Sequence, residues 1–175
     1  YIFLGVGLGN AVGLTIACFH IIAHAFTKSM LFVSAGALIN ATGGKKEISD
    51  MAGAGRRDKI AGTAFIVGAL SMVGVPFFAG FATKFFLAES AMAGEANMLL
   101  TLIVLAASTF LNALYYMPAL IKLFGNDERP VGEVKARVGA AETFTLLFLI
   151  VANLALGVGF QPIMRIIADG FSVLS

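Results

Sequence analysis

Hydrophobic and polar positions follow one another along this chain in long blocks, not with the short periods of a water-soluble domain. Residues 1–9 are apolar and Gly-rich and end on a turn signal, Gly9 followed by Asn10. Residues 11–40 form one apolar run, interrupted by His20, His24 and Lys28. A polar, Gly-rich stretch at 40–59 separates it from a second run at 60–92, and a third occupies 97–124. A polar segment at 125–139 precedes a fourth run at 141–160. About 20 apolar residues suffice for a helix to cross a hydrocarbon core about 30 Å thick. The pattern therefore predicts an all-α, polytopic transmembrane helix bundle with spans at about 1–9, 11–40, 60–92, 97–124 and 141–160. In the tail, Ile163, Ile166, Ile167 and Phe171 recur at helical spacing, which suits a C-terminal interfacial helix. The apolar start at Tyr1 reads as the middle of a helix, so 1–175 is expected to be the C-terminal part of one larger transmembrane domain.

The 60–92 run is too long for a single straight span at about 1.5 Å of rise per residue. Near its middle stand Gly74, Pro76 and Gly80. Pro76 lacks a backbone donor and frees the carbonyl four residues earlier, and Gly80 lets the chain bend. One discontinuous helix is predicted here, and Pro118 predicts a kink in the third run.

Composition agrees: 59% of the 175 residues are hydrophobic and 13% charged, against about 45–50% and 25% in soluble domains. A net charge of +2 is too small to imply nucleic acid as a partner. Cys18, the one cysteine, can form no intrachain disulfide. The basic residues sort by segment. Lys45, Lys46, Arg56, Arg57 and Lys59 fall in the first polar stretch, and Lys122, Arg129, Lys135 and Arg137 in or beside the second. None falls in the link at Gly94 and Glu95. Excess Lys and Arg marks cytoplasmic loops, so loops 40–59 and 125–139 are expected to be cytoplasmic and the Glu95 link and the tail to lie on the other side.

Only Lys28 and Lys84 among the twelve Lys and Arg residues sit deep in apolar runs. His20, His24 and Lys28 recur at i, i+4 and i+8, one stripe on a helix about 12 Å long. An ionisable side chain at membrane depth costs about 2.5–3.5 kcal/mol on insertion scales, so such residues face a bundle interior or an aqueous cavity. Neutral imidazole both donates and accepts a proton, and the stripe could hand protons along its length. Two other readings stand beside this one. Either histidine could be a satisfied core residue, and His at i, i+4 is a zinc spacing, although no Cys, Asp or Glu nearby completes a site. Lys84 follows the break signals, a recurrent arrangement for ion sites in transporters; its alternative is a kinked helix with a snorkelling lysine. Glu89 reads as a surface residue or as a proton exit partner. Gly5, Gly7 and Gly9 lack the surroundings of a nucleotide fingerprint and read as packing and turn glycines.

Two strings taken together, His20-Ile-Ile-Ala-His24-Ala-Phe-Thr-Lys28 with Ser34 and Gly36, and Gly74-Val-Pro76-Phe-Phe-Ala-Gly80-Phe-Ala-Thr-Lys84, resemble the proton-conducting antiporter-like subunits of respiratory complex I and of Mrp-type sodium/proton antiporters. The resemblance covers about residues 1–125, and Phe110 to Pro118 looks closest to the D-type members of the Mrp branch. Val75 and Phe77 stand where many members carry a second proline. The resemblance implies a proton relay through His20, His24 and Lys28 to Lys84 on the broken helix. The other half-channel would lie upstream of Tyr1, so the chain alone would not exchange ions. It also implies other membrane subunits as partners, protons with sodium as a second candidate ion, and a prokaryotic plasma membrane. Enzymatic activity would belong to an NADH-quinone oxidoreductase or hydrogenase-type complex as a whole, since no quinone, flavin, iron–sulfur or metal site is read in the chain. The competing expectation is a structural membrane subunit whose buried charges dock a partner helix.

Overall fold

In the computed structural model, which describes residues 1–94, 97–126 and 139–172, Asn10 divides the N-terminal apolar stretch. Helix α1 covers Ile2–Gly7, and the Asn10 side chain caps α2 (Ala11–Ala41) by accepting the Gly13 N–H at 2.8 Å. The polar stretch folds into a 3-10 turn (Ile48–Met51) and α3 (Ala54–Arg57). Asp58 caps α4 (Lys59–Val73) through the Ala61 N–H at 2.9 Å. The remaining helices are α5 (Ala79–Met92), α6 (Met98–Phe124), α7 (Ala140–Val158) and α8 (Phe160–Ser172). Glu95 and residues 127–138, with Arg129, Lys135 and Arg137, lie outside the described residues.

The 60–92 run is two helices separated by residues 74–78, the discontinuity predicted from Gly74, Pro76 and Gly80. At 15 and 14 residues, α4 and α5 are each about 21–22 Å long and fall short of a bilayer core. Pro118 is accommodated inside α6, which continues to Phe124. Helices α2, α6 and α7 are each long and apolar enough to cross a membrane.

Helix α2 is the axis of the bundle and touches α1, α4, α5, α7 and α8. Ile16, Phe19, Ala23, Thr27, Met30 and Leu38 are buried along it at spacings of three, four and eight. Facing residues are small: Ala61, Ala64 and Ala69 on α4 and Ala79 and Ala82 on α5 are fully buried, which lets helix axes approach closely. The largest apolar cluster joins Met30, Ala37 and Leu38 to Met51, Ala54, Leu123 and Leu146. Gly55 lies against the Phe124 ring, so the basic segment at 45–59 and the end of α6 with Lys122 share one end of the bundle. Outward, α6 shows Leu99, Leu100, Ile103, Phe110 and Leu111, and α7 shows Phe144, Phe148 and Val151, a surface suited to lipid or another apolar protein.

The tail differs from the expected interfacial helix. Phe160, Ile163, Met164 and Ile167 pack against a cluster of Phe19, Ala23, Ala79, Ala82 and Leu156, while Ile166 is 72% exposed. The i, i+3, i+4, i+7 face of α8 therefore covers α2 and α5 of its own bundle, because those helices present apolar side chains that would otherwise lack a neighbour.

Candidate functional site

The helix break is built from two sets of backbone groups that helix ends leave without partners. Helix α4 stops at Gly74, which adopts φ +90°, and the N–H groups of Gly74 and Val75 return to Leu70 O at 2.9 and 3.0 Å. Phe77 also has positive φ, at 75°, and is mostly exposed. The C-terminal carbonyls of α4 receive the Lys84 ammonium, which donates to Met72 O at 3.3 Å, to Val73 O, and to Thr109 Oγ1 of α6 at 3.0 Å. A cation at a helix C-terminus meets the negative end of the helix dipole. Lysine has three N–H donors, and all three find acceptors here.

The first N–H groups of α5 are met from outside the helix, since Phe78 supplies no side-chain cap. Ala79 N–H donates to Asn153 Oδ1 of α7 at 3.3 Å, and Gly80 N–H donates to Ser71 Oγ of α4 at 3.0 Å. A Cβ on Gly80 would sit 1.9 Å from the Ser71 carbonyl oxygen, so glycine is what brings α5 this close to α4.

Beside the break, a cavity of about 360 Å3 is lined by His20, His24, Thr27, Ser71, Gly80 and Lys84 among others. The His20 and His24 rings stand 5.5 Å apart, and His20 Nδ1 is 3.1 Å from Thr83 Oγ1, the hydroxyl next in sequence to Lys84. The Tyr1 ring borders both groups, 5.2 Å from the His20 ring and 5.4 Å from Lys84 Nζ. On its other side Lys84 also lines an open groove of about 560 Å3 between α5 and α6, with Thr109.

Of the expected site residues, His20, His24 and Lys84 thus meet in one cavity, and Gly74 and Gly80 shape its wall. Lys28 is half-buried one turn beyond His24 and outside the cavity lining, with no hydrogen-bond partner among the described residues. Glu89 is exposed on α5 and lines neither cavity nor groove. No group of three metal-ligating side chains occurs among the described residues, so His20 and His24 gain no third ligand. Thr27, Ser71, Thr83, Thr109 and Asn153 belong to the site and are missing from the sequence reading. Their only signal was a small polar side chain inside an apolar run.

Comparison with known proteins agrees with this arrangement. Residues 1–110 match the family described as NADH:quinone oxidoreductase/Mrp antiporter, TM. The chain is 34% identical to NADH-quinone oxidoreductase subunit N of Desulforudis audaxviator over 139 residues, 75% of this chain and 27% of that protein. It is 34% identical to NADH-quinone oxidoreductase subunit L of Campylobacter jejuni over 155 residues, 86% of this chain and 25% of that protein. The chain therefore spans about a quarter of the length of these relatives. A chain in the structure of the Mrp complex from Dietzia sp. DQ12-45-1b shares the fold, with a TM-score of 0.81 at 24% identity, over 96% of this chain and 39% of that one.

Proposed function

Because the chain belongs to the NADH:quinone oxidoreductase/Mrp antiporter transmembrane family and is an integral membrane protein, we propose that it carries protons within a membrane subunit of a multisubunit complex. Residues 1–175 form the C-terminal part of that subunit's proton-translocating domain. Protons pass along the stripe of His20, His24 and Lys28 and reach Lys84. The observation that carries this reading is the cavity that holds His20, His24 and Lys84 together beside a broken helix.

The cavity has room for several waters at about 30 Å3 each. Water can close the 5.5 Å between the histidine rings, and Lys28 follows His24 after one turn, about 6 Å along the axis. As an ammonium, Lys84 fills three acceptors. After giving up a proton it keeps two donors and gains a lone pair, so one acceptor is released and the amine can take a proton from cavity water. Lys84 borders the cavity on one side and the α5–α6 groove on the other, so each transfer at this nitrogen moves charge across the break. Glu89 carries no step of this path. A potential of 100 mV contributes about 2.3 kcal/mol per charge, so modest rearrangement at the break suffices to bias direction. The drive is redox-coupled change in a complex I relative, or ion gradients in an Mrp relative.

The ion on this path is the proton, because the lining offers imidazoles and an amine where sodium would need clustered oxygen ligands. The shared end of the bundle that holds 45–59 and Lys122 faces the cytoplasm, in line with its basic charge. Other membrane subunits and lipid cover the apolar faces of α6 and α7. A purely structural role, with the buried charges docking a partner helix, has less support. Lys84 spends its donors within its own chain.

His20→Phe and His24→Phe keep a flat ring and remove the proton-carrying nitrogens. In membrane vesicles containing the full-length protein and its partner subunits, each is expected to lower proton transport at least about tenfold, the scale of a lost proton-transfer group, with the assembled complex unchanged on native gels. Normal transport in both variants would defeat the relay. Loss of the assembled complex would favour the docking role.

A further inference from the structure

Asn153 lies in the middle of α7, among buried Leu146, Leu149 and Leu156, and is itself 0% exposed. A buried amide is tolerated when its hydrogen bonds are met, and here every partner belongs to the break or to the relay helix. Ala79 N–H donates to Oδ1 at 3.3 Å, and Nδ2 lies 2.8 Å from Thr27 Oγ1 and 3.3 Å from Ser71 Oγ.

Counting protons fixes the direction of each bond. Thr27 gives its one hydroxyl proton to Ala23 O at 2.7 Å, so toward Asn153 it can only accept. Ser71 Oγ accepts the Gly80 N–H at 3.0 Å and sends its own proton toward Thr27 Oγ1 at 3.3 Å, so it too accepts from Asn153. Both amide protons are committed, and the amide oxygen is left for Ala79. The orientation of the Asn153 amide thus follows from its neighbours. Carboxylate, which has no donor, cannot replace it.

One turn along the same face of α7, a Cβ on Gly157 would lie 2.2 Å from Phe77 O. Helix α7 therefore meets the break twice, once through an amide and once through bare backbone.

We propose that Asn153 is a positioning residue of the break: with Ser71 it caps the first two N–H groups of α5, ties them to Thr27 beside the relay stripe of α2, and so fixes where α5 presents Lys84. The functional half of this inference rests on the relay proposed above. The capping half does not.

The two halves separate when amide hydrogen exchange and proton transport are measured on the same preparations of the full-length protein assembled with its partner subunits. Asn153→Leu keeps the side-chain bulk and deletes all three bonds; Ser71→Ala is the smaller change. Exchange is expected to rise at least about tenfold at Ala79 and Gly80 in Asn153→Leu and at Gly80 in Ser71→Ala, the effect of one lost hydrogen bond or more. Transport falls in both, and exchange along the rest of α2 and α7 stays as in wild type. Unchanged exchange at Ala79 and Gly80 overturns the cap, whatever transport does. A general rise along α2 and α7 overturns the positioning role, since it reports only lost packing. Local rise with wild-type transport leaves the cap standing and overturns the relay through Lys84. If Asn153→Leu does not accumulate, Ser71→Ala decides by the same two readouts.

Discussion

Gly80→Ala tests the closeness of α4 and α5 at the break. Its Cβ would lie 1.9 Å from Ser71 O, where ordinary contact begins at 3.4 Å, so the helices must part by about 1.5 Å. The obstacle is a backbone carbonyl, which no side-chain rotation removes. Overpacking of this kind costs about 1–3 kcal/mol. Parting also stretches the 3.0 Å bond from Gly80 N–H to Ser71 Oγ beyond use, for about 1 kcal/mol more. Together, about 2–4 kcal/mol lowers the population of the closed break by more than tenfold. Initial rates of proton transport, followed by quenching of a pH-sensitive dye in vesicles holding the assembled complex, are expected to fall by that factor. Gly36→Ala is the control. A Cβ there meets open space on α2, and an alanine favours the helix by up to about 1 kcal/mol. Gly80→Ala with wild-type transport and wild-type yield would refute the close approach and the break geometry derived from it.

Gly74→Ala forces a Cβ into φ +90°, about 1–2 kcal/mol of strain, and places it 2.6 Å from Lys84 Cδ. Because the lysine can swing aside, the vesicle assay is expected to show a larger loss of transport than native gels show of assembled complex. Thr109→Val removes one of the three Lys84 acceptors, a bond worth about 1 kcal/mol, and transport should drop about fivefold. Glu89→Gln alters an exposed side chain outside both spaces around Lys84, so its rate is expected to stay within about twofold of wild type.

Long-range order in this chain was legible where one residue type breaks a strong local pattern. Apolar blocks located α2, α6 and α7, and Gly74, Pro76 and Gly80 located the interruption between α4 and α5. The stripe of His20 and His24 was visible because helical spacing fixes which side chains share a face. The polar partners were not visible. Thr27, Ser71 and Asn153 come from three helices, 44 to 126 residues apart, and small polar residues in apolar helices are common packing residues. Spacing also placed Lys28 in line with the histidines, but the cavity wall turns from α2 to α4 and α5 at Thr27 and Ser71 and leaves Lys28 outside. Positive φ at Phe77 escaped notice because left-handed backbone is expected of glycine. For α8, the apolar face was legible but the surface that covers it was not, since bilayer and protein are equally apolar to a helix read alone.

Proton movement through Lys28 and Lys84 is the central claim. Its most direct measurement is the initial rate of proton transport in vesicles carrying the full assembled complex with Lys28→Ala, with Lys84→Ala, and with both. Each single variant is expected to abolish transport while the complex remains assembled, and the double variant to be no worse than either. Wild-type rates in the double variant would contradict the account.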